Sequence, residues 1–169
     1  VDETRPRNQG ASLTSYELNN ENIANTIITD NAAGILMQRG EIDICIVGAD
    51  RVMVSGDVIN KIGTFLIAIA AKEFKIPFYV TIPLNTIDWK TKNFRDVEIE
   101  ERSSNELRKI KGLDEQNNLR TVDVYPKGSK AYNPAFDITP KQFVTKLITN
   151  QGIINANINE ILNLKNEQY

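Results

Sequence analysis

The sequence predicts an α/β fold in which a mostly parallel, Rossmann-like sheet is flanked by helices. Two observations carry this. The run Ile42-Asp43-Ile44-Cys45-Ile46-Val47 is nearly continuous in β-branched residues, the pattern of a parallel strand covered on both faces. A loop, an apolar helical stretch and a second such run, Pro77-Phe78-Tyr79-Val80-Thr81-Ile82, follow it. Strand, loop, helix and strand in that order read as a right-handed βαβ unit.

The chain opens with Val1-Asp2-Glu3-Thr4-Arg5-Pro6, which reads as the last residues of a strand running into a polar loop. The first strand is therefore expected to be truncated, its beginning missing or carried on another polypeptide. Thr14-Ser15-Tyr16-Glu17 has the spacing of a capping box and predicts a short helix. Residues 23–29 look strand-like. A helix is expected over 31–39, with Asp30 as N-cap and Gly40 just past its end. The helix expected over 60–74 has apolar residues on nearly every face, so it should be buried between neighbours.

From 88 to 118 the chain turns polar and charged. Residues 98–102 suit a short strand or an edge segment. A capping-type start at Ser103 or Ser104 suggests a short helix to about residue 110, and 112–119 reads as a loop. A short strand over 121–125 is expected next. Residues 133–140 form a loop that ends in a helix start, Thr139 as N-cap and Pro140 as first helical residue, leading to a helix over 141–149. A last helix is expected over 158–164. With no internal repeat or linker, residues 1–169 read as one domain.

Composition narrows the chemistry. Hydrophobic residues are 41%, charged residues 25% and the net charge is −2, so nothing suggests a surface built for nucleic acid. No apolar run approaches the roughly 20 residues of a membrane span, and no signal-peptide pattern is present. The single cysteine, Cys45, cannot form an internal disulfide, and a reducing, cytoplasmic setting is expected. There is no histidine. Acid–base work within this chain would fall to Asp, Glu, Lys, Arg or Tyr, and nucleophilic triads and structural zinc are excluded.

In an open parallel sheet, ligands bind outside the carboxyl ends of the strands. Three polar clusters are expected there: residues 3–10, residues 48–51 and residues 55–64. Arg5 and Arg7 could grip an anion or simply be surface arginines. In the third cluster a glycine loop precedes the expected helix start at Asn60 and Lys61, where free N–H groups and the lysine make a natural phosphate seat. A helix cap with a solvated lysine is the alternative. Gly63, inside that helix, hints at close packing or close approach of a ligand. Asp50 ends an apolar strand, so partial desolvation should raise its pKa toward a value useful in proton transfer. It could equally cap a turn or pair with Arg51.

Together these segments resemble methylthioribose-1-phosphate isomerase. The resemblance lies in residues 2–11, Val47-Gly48-Ala49-Asp50-Arg51, Gly56-Asp57-Val58-Ile59-Asn60-Lys61-Ile62-Gly63-Thr64 and Ile76-Pro77-Phe78-Tyr79-Val80. It continues through Pro83-Leu84-Asn85-Thr86-Ile87-Asp88, Ile99-Glu100-Glu101-Arg102 and Asn133-Pro134-Ala135-Phe136-Asp137-Ile138-Thr139-Pro140. That family shares its C-terminal fold with ribose-1,5-bisphosphate isomerases and with regulatory subunits of translation initiation factor 2B. The acidic residues at 50 and 57 and the run ending at Asp88 favour the methylthioribose branch.

By position, the resemblance implies that Asp50 is the proton donor and that Gln9, Asn60 and Lys61 bind substrate, with Arg5 and Asp57 in support. It implies a phosphorylated sugar as substrate, no metal or organic cofactor, and dimerisation through this half or association with a separate N-terminal half. The family's catalytic cysteine lies in a Thr-His-Cys-type loop upstream of the segment matched here, and Cys45 is not its equivalent. The family's N-terminal domain, with an arginine-bearing loop over the phosphate, also has no counterpart here. Ser55 stands where an asparagine is usual. The expectation is an isomerase half, inactive alone; the rival is a non-catalytic regulatory protein like an initiation factor 2B subunit, or a degenerate isomerase remnant.

Overall fold

A computed structural model describes residues 1–91 and 94–166. A π-helical turn, Gly10–Thr14, runs straight into α1 (Ser15–Asn20), so Thr14 is already helical and makes no capping bond. The capping box at Thr14 is thus not used: the helical path begins a turn earlier. Next come α2 (Ala33–Gln38), β1 (Cys45–Val47), β2 (Arg51–Met53), β3 (Val58–Lys61), α3 (Thr64–Glu73), β4 (Phe78–Thr81) and β5 (Ile87–Asp88). Then follow α4 (Ser104–Arg108), β6 (Lys109–Leu113), β7 (Leu119–Asp123), β8 (Phe136–Thr139), β9 (Lys146–Thr149), β10 (Gly152–Ile154) and α5 (Ile158–Asn166).

The chain divides into two compact units. The first joins Val1–Asn31 to Glu100–Ala135, and the second joins Ala32–Ile99 to the residues from Phe136 onward.

The second unit holds the α/β architecture. Its main sheet has the order β1-β4-β9-β10, with the first three strands parallel and β10 antiparallel to β9. The expected βαβ unit is there, with Cys45 opposite Phe78 and Val47 opposite Val80. Between β1 and α3, however, the chain inserts β2 and β3, which belong to another sheet of order β5-β2-β3-β8. The core is built on Phe78, Val52, Val58, Val80, Leu147 and Ile161, all essentially inaccessible to solvent.

α3 starts four residues later than expected, because Asn60 and Lys61 extend β3. It buries Ala68 and Ala71, small residues that allow close packing, but it is not enclosed: Leu66 is 71% exposed. β1 lies at the edge of its sheet, with Ile46 58% exposed. α2 ends as expected at Gly40, whose φ is 70°. Gly40 N–H donates to the Met37 carbonyl and Glu41 N–H to that of Leu36, the paired bonds of a Schellman motif. Its other end is different. Asp30 does not cap it, because both carboxylate oxygens accept main-chain bonds elsewhere, from Thr4 N at 2.6 Å and Arg5 N at 2.7 Å.

The helix expected over 141–149 is absent. A 3₁₀ turn, Lys141–Phe143, leads into β9, and Leu147 packs fully buried beside β4. Thr139 is not a cap but a buried residue of β8. The run from Val144 to Thr149 is rich in β-branched residues, and a place next to a parallel strand outweighs the Thr-Pro start signal. The final helix forms as expected, and Asn157 Oδ1 accepts from Glu160 N at 3.0 Å at its start.

In the first unit, Ser103 caps α4 by accepting from Asn105 N at 3.3 Å. The strand-like stretch 23–29 contributes a single parallel bridge, Ile28 opposite Asp2, and Glu101 bridges Pro134 as an edge segment. Residues 112–119 are only partly loop. β6 and β7 pair antiparallel, Lys111 opposite Thr121, around a turn held by Asp114, which accepts from Asn118 N at 2.8 Å and Gln116 N at 3.0 Å. Among the described residues no helix is long and apolar enough to cross a membrane.

Candidate functional site

In the second unit, three of the expected site residues meet at one end of the β2–β3 hairpin. Asp50 N–H donates to the Ile59 carbonyl at 3.0 Å, while Arg51 is also in register with Ile59. Two residues thus face one, as in a β-bulge, a device that re-aims side chains. Asp50 is consequently beside the strand that continues into Asn60 and Lys61. Its side chain is exposed rather than desolvated, so the burial expected at the end of an apolar strand does not occur. Nor does it pair with Arg51, whose Nη1 lies 3.3 Å from Oδ2 of Asp88.

Asp88 is the most strongly tuned carboxylate here. The Thr91 hydroxyl donates to it at 2.7 Å and Lys90 N at 2.9 Å; with Arg51 nearby, its pKa falls to about 2. A depressed pKa adds stability that is present above the ordinary value of 3.8 and lost as pH falls toward about 2. The difference in urea midpoint between wild type and Asp88→Asn should therefore be constant near neutral pH and close below about pH 4. A difference that persists unchanged at pH 2 would contradict this.

Asn60 and Lys61 are half-buried in β3, opposite Asp137 and Phe136 of β8. Asn60 Nδ2 donates to Thr64 Oγ1 at 3.1 Å, and that hydroxyl donates to the Lys61 carbonyl at 2.7 Å. The turn into α3 is made by Gly63, with φ of 103°. Its glycine serves this left-handed cap position rather than a helix interior.

The main-chain amides at the head of α3 are not a vacant phosphate seat. Asp137 accepts from Gly63 N at 2.7 Å and from Phe65 N at 3.1 Å. Burial raises the pKa of Asp137, and these two N–H bonds oppose that rise. Sequence spacing misses this cap because it joins residues more than 70 positions apart. The amides of Gly63 and Phe65 are thus already taken by a carboxylate of the chain itself.

Asp57, at the other end of β3, is a structural tie. It accepts from Ser55 Oγ at 2.8 Å and from Lys141 N at 2.9 Å. In the first unit, Gln9 is exposed and heads the π-helical turn, with no capping bond from its side chain. Arg5 is committed to main-chain carbonyls, Leu107 at 2.7 Å and Pro6 at 3.0 Å. Cys45 is buried in β1.

Residues 1–156 match the Initiation factor 2 subunit family. The chain belongs to that family. Methylthioribose-1-phosphate isomerase of Sulfurimonas denitrificans is 54% identical over 162 residues, which is 95% of this chain and 45% of that protein. Among solved structures, 5-methylthioribose 1-phosphate isomerase from Pyrococcus horikoshii OT3 aligns with a TM-score of 0.86 at 39% identity, covering 100% of this chain and 45% of that one. Translation initiation factor eIF-2B subunit delta from A. fulgidus aligns with a TM-score of 0.82 at 44% identity, covering 95% and 45%. This member of the initiation factor 2 subunit family therefore spans about half the length of the relatives it matches. Its α/β fold and the isomerase resemblance of its motifs agree with those matches.

Proposed function

We propose that this chain is the acid-bearing, C-terminal half of an aldose–ketose isomerase acting on methylthioribose 1-phosphate, and that it turns over substrate only when joined by the rest of the fold. The single observation that carries the reading is the convergence of Asp50, Asn60 and Lys61 at one end of the β2–β3 hairpin, in a chain similar to isomerases over nearly its whole length. Lys61 supplies positive charge for a phosphate and Asn60 an amide for a sugar oxygen. Because phosphate occupies the anomeric oxygen, the ring cannot open unaided. Asp50 acts as the acid that protonates the ring oxygen as its bond to C1 breaks; a proton then leaves C2 and one is added at C1, and the 2-hydroxyl returns its proton to the Asp50 carboxylate as C2 becomes the ketone.

Proton transfer of this kind works best in a site kept dry. Asp50 is exposed here, which supports a reading in which further protein covers it: a second copy, or the remaining half of the fold. A cytoplasmic homodimer, or a complex with a separate half-chain, is the assembly we infer. The similarity to an initiation factor 2B delta subunit favours a second reading, a binding protein without turnover.

Calorimetry with methylthioribulose 1-phosphate tests the site. Binding should weaken by about tenfold or more in Lys61→Ala, the loss of one charge-assisted contact. No detectable binding at millimolar ligand would overturn the competent-half reading. Turnover in the presence of the half of the isomerase fold that this chain does not span, and its loss in Asp50→Ala, would exclude the regulatory one.

A further inference from the structure

The first unit carries a cavity of about 610 Å³, within the range of small-molecule sites. It is lined by Arg7, Asn8, Glu106, Lys109, Ile110 and Lys111, with Thr121 on the neighbouring strand. Arg7 and Asn8 fall within the 3–10 cluster expected to meet ligand, but none of the lining residues is given a role in the isomerase reading above. Lys109 and Lys111 are two apart on β6, so their side chains leave the same face of the hairpin, about 7 Å apart along the strand. Arg7 adds a third cation from the turn that follows the Asp2 bridge.

The acidic groups nearby are already occupied. Arg102 grips both oxygens of Glu106, Nη2 to Oε1 at 2.7 Å and Nε to Oε2 at 2.9 Å. That two-bond pair takes up most of the Glu106 carboxylate, and the Arg7 charge also acts on it, as the Lys109 charge acts on Asp123. Asp123, opposite Lys109 across the hairpin, is held by Nη2 of Arg108. The cavity is therefore positive in balance. Ile110 and Pro6 supply apolar wall, and the amides of Asn8 and Asn105 and the hydroxyl of Thr121 supply polar groups that can meet oxygens or hydroxyls.

We infer that this cavity is a second anion site, which takes a small organic compound bearing two or more phosphate charges against the Arg7, Lys109 and Lys111 side chains. A single phosphate would meet one lysine at a time; a pyrophosphate unit can span the spacing between them. The site stands apart from the isomerase reading and survives if that reading fails.

Titration of the whole chain with inorganic pyrophosphate, followed in ¹⁵N–¹H NMR spectra, tests it. Saturable shifts are expected at the amides of Asn8, Asn105, Lys109, Ile110, Lys111 and Thr121, weakening as salt is added. Lys111→Glu, an exposed change on an isolated hairpin, should lower the affinity by about tenfold or more, while Lys111→Arg keeps it. Saturable shifts confined to β3 and the head of α3 would overturn the inference, as would equal affinity in Lys111→Glu. Shifts of the same size with inorganic phosphate and with pyrophosphate would overturn the multi-charge requirement.

Discussion

Gly56→Ala should destabilise the second unit by about 3 kcal/mol or more, through left-handed strain and a backbone clash together. Gly56 is buried with φ of 97°, a conformation that L side chains rarely adopt. A methyl group there would run into the Ala156 carbonyl, lying 2.6 Å from its carbon and 3.2 Å from Asn157 N. Those atoms belong to the turn into α5, which is itself fixed by Asn157 and Glu160. Neither backbone can step aside without releasing the other. Thermal unfolding followed by circular dichroism should place the variant many degrees below the parent, or show it unfolded at 37 °C. A midpoint within about 2 °C of the parent would mean that the loop moves freely, contrary to the packing described.

Asp137→Ala should be the next most damaging change, at about 2 kcal/mol, the upper range for losing a helix cap with charged hydrogen bonds. It strips the partners from Gly63 N and Phe65 N together and loosens the turn that follows Asn60 and Lys61. Asp137→Asn keeps one acceptor oxygen and removes a desolvated charge, so it should cost less than about 1 kcal/mol. The pH dependence runs opposite to that of Asp88. With the folded pKa raised by burial, the contribution of Asp137 is fully present below its ordinary 3.8 and declines as pH rises through the raised value. Asp137→Asn should flatten that decline. Urea titrations of the three proteins at pH 3 and pH 7 measure both effects; equal losses for alanine and asparagine would argue against the cap.

What the residues reveal locally, they reveal well. The β-branched runs around Cys45 and Phe78 identify the parallel β1–β4 pair, although β1 proves to be an edge strand, and Gly40 marks the end of α2. The motif resemblance singles out Asn60 and Lys61, but their place in the fold differs from the one expected. They were expected to open a helix, and instead they end a strand whose register is set by β8, almost 80 residues later. The same distance hides Asp137. Capping signals at Thr14 and Thr139 misled because a spacing rule cannot register that the backbone is already helical, or that the hydroxyl is buried in a sheet. The desolvation expected of Asp50 failed for a related reason: an apolar run says which residues pair, and not what covers the end of the pair.

Asp57 reaches the far connection through the main-chain amide of Lys141, just as Asp137 reaches those of Gly63 and Phe65. Evolutionary constraint therefore falls unevenly on the two ends of each link. Any residue but proline can present the amide at 141, so that position is free to drift while its carboxylate partner is not. Natural variation would record the link as a position held to an acceptor side chain, aspartate or asparagine, facing an apparently unrelated, changeable neighbour. Methods that look for paired substitutions would pass over it, although it fastens two distant parts of the chain.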